Sequence, residues 1–203
     1  MHLRKTIEKE SVSQVNVSIE DYHSAYGGPV ALLGGGESVK KLNLDAIAEA
    51  MPIIGINESW RGFATGWRVF VDFELQQFIK PETVFFPCAK NSKPVLPPRV
   101  AGITIEHLAR KGSDPDFMGF NLDVGTYAYF AGMLALEVAT WCGFDPIYLL
   151  GYDCSGGYWM DDEKRTPGGA KTHAVWERQL SSAIDLLRGR DRFCAKMSSG
   201  RSR

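Results

Sequence analysis

Short runs of uninterrupted apolar residues alternate along this chain with stretches of helical spacing, and that alternation predicts the fold. The run Val30 to Leu33, "VALL", is continuous rather than alternating, the pattern of a strand covered on both faces as in a parallel sheet. Three consecutive glycines, Gly34, Gly35 and Gly36, end it. Val39, Leu42, Leu44, Ile47 and Ala48 then give an approximate helical stripe, which can be read as broken around Asn43 into two pieces. Further strands are expected at Pro52 to Ile56, Trp67 to Val71, Thr83 to Phe86, and in "ITIEHL" from Ile103. The Lys-, Arg- and Pro-rich stretch between the last two, "CAKNSKPVLPPRVAG", reads as a surface loop.

The clearest unit lies in the C-terminal half. "GTYAYFAGMLALEVATWCG" is apolar for most of its length and ends in Gly143, which predicts a buried helix with a glycine C-cap. "PIYLL", Pro146 to Leu150, supplies a central strand, and an amphipathic helix from Lys171 to Leu187 presents Val175, Leu180, Ile184 and Leu187 to the core. Strands and helices in this order imply βαβ units. The expected class is a Rossmann-like α/β fold, three layers around a mostly parallel sheet. The expected division is an N-terminal arm over 1–27, one Rossmann-like nucleotide-binding domain over 28–190 and a flexible basic tail over 191–203.

Composition narrows the partners. The 203 residues carry 23 Lys+Arg against 24 Asp+Glu, a net charge of -1, so the bulk electrostatics do not call for a nucleic acid. No apolar run reaches the roughly 20 residues that span a bilayer. The charged start, "MHLRKTIEKESVSQ", lacks the apolar core of a secretion signal, which argues for a cytoplasmic protein. The four cysteines, Cys88, Cys142, Cys154 and Cys194, are scattered without zinc-site spacing and read as free thiols.

In an open parallel sheet ligands gather beyond the C-terminal strand ends, where loops and free N–H groups collect. The candidates there are Gly34 to Ser38 after the first strand, Asn57 after the second, Asp72 and Glu74 after the third, and Asp153, Ser155 and Tyr158 after "PIYLL". Val39 stands where a dinucleotide fingerprint wants its third glycine and Asn57 where it wants an acid, so NAD is disfavoured. A P-loop signature is absent. Taken alone, the glycines fit a phosphate cradle or a plain strand-to-helix turn equally well. Asp72 and Asp153 fit a magnesium site or two local caps. His173, at the start of the last helix, fits a general acid or base or an ordinary surface histidine.

"VALLGGGESVKKLNL", "PIIGIN", "VFVDFE" and "AGMLALEVATWCGFDPIYLLGYD" together resemble a superfamily that joins the 6-hydroxymethylpterin diphosphokinase MptE-like proteins with the bacterial CMP-sialic-acid-dependent sialyltransferases. The likeness covers roughly residues 28–187. The diphosphokinase-like branch implies Mg2+ and a nucleoside triphosphate such as ATP, with Gly34, Gly36, Ser38, Asp72 and Asp153 at the nucleotide and metal. The sialyltransferase branch implies a CMP-sugar held by Asn57 and Tyr158, with His173 as base. Its first loop is typically G-N-G-P-S, where this chain has Gly35 and Glu37 in place of the asparagine and the proline. The expected function is transfer of a diphosphoryl group from a nucleotide to a small hydroxylated acceptor. The alternatives are CMP-sugar glycosyl transfer, or nucleotide binding without chemistry.

Overall fold

The computed structural model describes residues 19–70, 83–88, 101–106, 130–154, 159 and 170–188. Six strands form one sheet in the order β5-β4-β3-β2-β1-β6: β1 Val30–Leu33, β2 Ile53–Ile56, β3 Trp67–Val69, β4 Thr83–Cys88, β5 Ala101–Glu106 and β6 Ile147–Leu150. Every pairing is parallel, with Leu32 between Ile54 and Leu149 in the centre. The helices are α1 Leu44–Ala50, α2 Ala131–Trp141 and α3 Ala170–Arg188. The α/β class expected from the sequence is the class observed.

The strands are continuous apolar runs because both faces are covered. Val30 and Leu32, Ile54 and Ile56, and Ile147 and Leu149 point to one face, where they pack with α2 and with Leu180, Ala183, Ile184 and Leu187 of α3. Ala31, Leu33, Ile53 and Leu150 point to the other, against Val39, Leu44 and Ile47. Each large aliphatic side chain so buried contributes about 1.5–3 kcal/mol. The order explains the sides. From β1 to β5 the chain steps steadily across the sheet, then returns past β1 to β6, and right-handed crossovers in opposite directions land on opposite faces.

Local chemistry sets the helix ends. Residues 37–50 split in two: a 3-10 helix, Glu37–Lys41, then α1, whose N-cap Asn43 accepts a hydrogen bond from Ala46 N–H at 3.1 Å. α2 is buried from Ala131 through Ala139, so no polar stripe marks it. It ends at Gly143, φ 89°, where Phe144 N–H reaches Ala139 O and Gly143 N–H reaches Thr140 O. That pair of bonds is a Schellman stop, and its left-handed residue favours glycine. None of the helices among the described residues is long and apolar enough to cross a membrane.

Two boundaries differ from expectation. β4 runs to Cys88 and β5 begins at Ala101, so both extend into the stretch read as a surface loop. Mutual pairing extends them: Pro87 sits opposite Ile105 and Cys88 opposite Glu106. Residues 19–27 are mostly exposed, but Ile19, Tyr22 and Tyr26 tie them to the fold. Ile19 is buried and begins a 3-10 helix, Ile19–Tyr22. Tyr22 and Tyr26 set their rings against Trp67, with centroids 5.5 and 4.9 Å away, and Tyr26 stacks on Phe144. Ser24 N–H and Tyr26 N–H donate to Trp141 O and Cys142 O, which ties the segment to the end of α2.

Candidate functional site

The strand order reverses between β1 and β6, the place where an open α/β sheet offers its ligand crevice. Here the crevice is spanned by a seam between the loops leaving those two strands. Gly34 N–H donates to Leu150 O at 2.8 Å and Gly36 N–H to Gly151 O at 2.9 Å. Beyond them Ser38 holds both oxygens of Asp153, its N–H on Oδ2 at 2.8 Å and its hydroxyl on Oδ1 at 2.5 Å. The seam is closed on its other edge by Trp159, whose backbone N–H donates to Gly35 O at 2.9 Å and whose indole Nε1–H donates to Gly34 O at 3.0 Å.

This geometry gives the glycines a reason that the sequence alone left open. A Cβ on Gly34 would lie 2.7 Å from Gly151 O, and one on Gly36 would lie 2.5 Å from Asp153 Oδ2 and 2.8 Å from Gly151 O. Gly36 itself has φ -70°, a conformation open to any residue, so close approach and not backbone freedom selects glycine there. The amides of Gly34 and Gly36 already serve the seam, and that of Ser38 serves Asp153. Gly151, φ 66°, completes the fit: a Cβ there would lie 2.5 Å from Val39 Cγ2.

Asn57 stands at the C-terminal end of β2 with φ 46°, a left-handed conformation uncommon outside glycine but most tolerated by Asn and Asp. It opens the 3-10 helix Asn57–Arg61, and Ser59 Oγ accepts Ile56 N–H at 2.9 Å to bind that helix to the strand end. Glu37 is exposed and lies 3.5 Å from Lys40 Nζ. Both side chains are more than half exposed, so the pair contributes little to stability.

On the α2/α3 side of the same rim, Cys154 follows Asp153 with φ 50°. Burial pushes its thiol up to about 11, aided by the charges of Glu177 and Asp153. Glu177 is one helical turn after His173 on α3, so His173 is carried near the β6 loop. Its ring lies 5.4 Å from Trp176, which in turn lies 5.4 Å from Phe130 at the N-cap of α2. Tyr152 is buried beneath, with its hydroxyl donating to Gly132 O at 2.9 Å and its pKa raised by burial and then by Cys154.

The structure thus brings together Gly34, Gly35, Gly36, Ser38 and Asp153, with Asn57 at the end of the adjacent strand, while His173 lies in the first turn of α3 with its ring on Trp176. Asp72, Glu74, Ser155 and Tyr158 lie outside the described residues. Among the described residues no group of three or more His, Cys, Asp or Glu gathers to hold a metal ion. Within that set Asp153 is a single carboxylate, each oxygen accepting a bond from Ser38.

Two residues escaped sequence reasoning. Trp159 sits in a polar Gly-rich loop and carries no periodic signal. Arg68 sits in a run read as an apolar strand, yet it is fully buried on the α1 face, in register with Gly55, and burial lowers its pKa to about 10. No family model, curated protein or solved structure matches the chain.

Proposed function

We propose that the chain is a nucleotide-dependent transferase whose donor lies across the C-terminal rim of β1 and β2 and passes a diphosphoryl group to a small hydroxylated acceptor. The observation that carries this reading is the meeting of Ser38 and Asp153 at the order reversal of an all-parallel sheet, with Asn57 at the end of the adjacent strand. A carboxylate gripped at both oxygens is oriented before any ligand arrives, which is the preorganisation that transfer chemistry rewards. The donor's phosphates belong on the outer side of Gly35 to Ser38, because the inner amides serve the seam. Lys40 offsets the charge of Glu37 in that loop. Magnesium at Asp153 would neutralise charge on the transferred phosphoryl group; Asp72 follows β3, which β2 and β1 separate from β6, so the two acids do not share neighbouring strand ends.

One observation favours a second reading, metal-free transfer from a CMP-sugar. Ser38 occupies both oxygens of Asp153, which leaves it a weaker metal ligand, while His173 is carried to the same rim by α3. Thermal-shift titration with ATP, CTP, CMP and UDP-sugars, with and without magnesium, separates the readings. Stabilisation that grows with concentration marks a ligand. Magnesium-dependent stabilisation by a triphosphate supports diphosphoryl transfer. Metal-free stabilisation by CMP that His173→Ala leaves intact, with turnover lost, supports glycosyl transfer. Stabilisation without turnover of either donor points to a binding module. A melting temperature unmoved by the whole panel refutes every nucleotide reading.

A further inference from the structure

Trp159 is anchored on three sides at the rim proposed for the nucleotide. Its backbone N–H is on Gly35 O and its indole N–H on Gly34 O, both from the loop after β1. The six-membered edge of the indole lies against Gly62, just past the helix that follows β2, so closely that a Cβ on Gly62 would collide with Cη2 and Cζ3. The ring therefore bridges the loops after β1, β2 and β6. It is partly buried against the small core cluster on the α1 face of the sheet and keeps part of its surface open to solvent.

With its N–H on Gly34 O and its far edge against Gly62, the indole is held in one orientation at the rim. An aromatic ring so fixed loses little freedom when a second planar ring is laid on it, so stacking is retained as affinity. We infer that Trp159 is the stacking platform for the base of the bound nucleotide. The inference rests on the nucleotide reading above and adds to it: the base, and not the phosphates alone, is recognised, by contact with a π face.

The test compares ATP and CTP with inorganic tripolyphosphate, which carries the charge and lacks the base, by calorimetric titration of the whole chain. The wild type is expected to bind ATP or CTP between about fivefold and about a hundredfold more tightly than tripolyphosphate, the span for one base stacked on one aromatic ring. Trp159→Leu should erase that difference, read as the ratio of nucleotide to tripolyphosphate affinity within the same variant, while Trp159→Phe, which keeps a π face and loses the N–H, should retain most of it. A difference that survives in Trp159→Leu overturns the inference, as does a wild type that binds tripolyphosphate as tightly as ATP and CTP. Should Trp159→Leu fail to fold, tryptophan emission decides. Quenching by ATP or CTP that disappears in Trp159→Phe supports the platform, and quenching that persists there overturns it. A wild type that binds neither nucleotide nor tripolyphosphate removes the nucleotide reading itself, and the platform with it.

Discussion

Replacing Ser38 by alanine tests whether the seam at the strand-order reversal is held by the clasp on Asp153. The hydroxyl lost is 2.5 Å from Oδ1 of a partly buried carboxylate, and the backbone N–H on Oδ2 stays in place. A hydrogen bond to a charged group contributes about 1.5–3 kcal/mol, and partial exposure puts this one at the lower end, about 1.5 kcal/mol. For a chain of this length that corresponds to a melting-temperature fall of about 3–6 °C. The assay is urea unfolding of the wild type, Ser38→Ala, Asp153→Ala and the double variant, compared at a common m-value. If the clasp is real, the double variant loses about 1–2 kcal/mol less than the two single losses added together. Single-variant effects that add within about 0.5 kcal/mol would show that the two residues do not act as a pair, and the account of Asp153 as an oriented carboxylate would fall.

Three further outcomes are expected. Gly36→Ala should cost about 1–3 kcal/mol in urea unfolding, because its Cβ meets the Asp153 carboxylate and Gly151 O while its backbone angles suit any residue; a neutral effect would mean that the seam yields. Tyr152→Phe should cost about 1 kcal/mol by the same measurement, the net value of one buried neutral hydrogen bond. Alkylation of Cys154 by iodoacetamide, followed by peptide mapping, should be slow at pH 8 and rise with a midpoint near 11 rather than the usual 9.0. Since the folded pKa is raised, ionisation of this thiol opposes folding: its contribution to stability is intact below about pH 9 and is lost as pH climbs through 11. A labelling midpoint near 9 would indicate a thiol that is neither desolvated nor flanked by carboxylates.

The strands and the two long helices were legible because their signals are local. "VALL", "PIIGI" and "PIYLL" are apolar on both faces, and a strand buried on both faces cannot be otherwise. Gly143 was readable as a helix stop, since a left-handed residue after an apolar helix leaves few alternatives. The ring contacts of Tyr22 and Tyr26 were not readable, because their partners Trp67, Phe85 and Phe144 come from three distant segments. Arg68 hid for a similar reason: its neighbours in sequence are apolar, and its burial is set by what covers the sheet.

The sequence by itself determined the class of fold, the rim on which polar groups collect, and the presence there of Gly34 to Ser38, Asn57 and Asp153. Only the tertiary structure decided what the glycines are for. The amides of Gly34 and Gly36 are taken up by Leu150 and Gly151, the carbonyls of Gly34 and Gly35 by Trp159, and Ser38 meets Asp153 across 115 residues of chain. Residue type announces that a backbone can be approached closely. What approaches it is settled by strand order, which places β6 beside β1 and which no local pattern along the chain encodes.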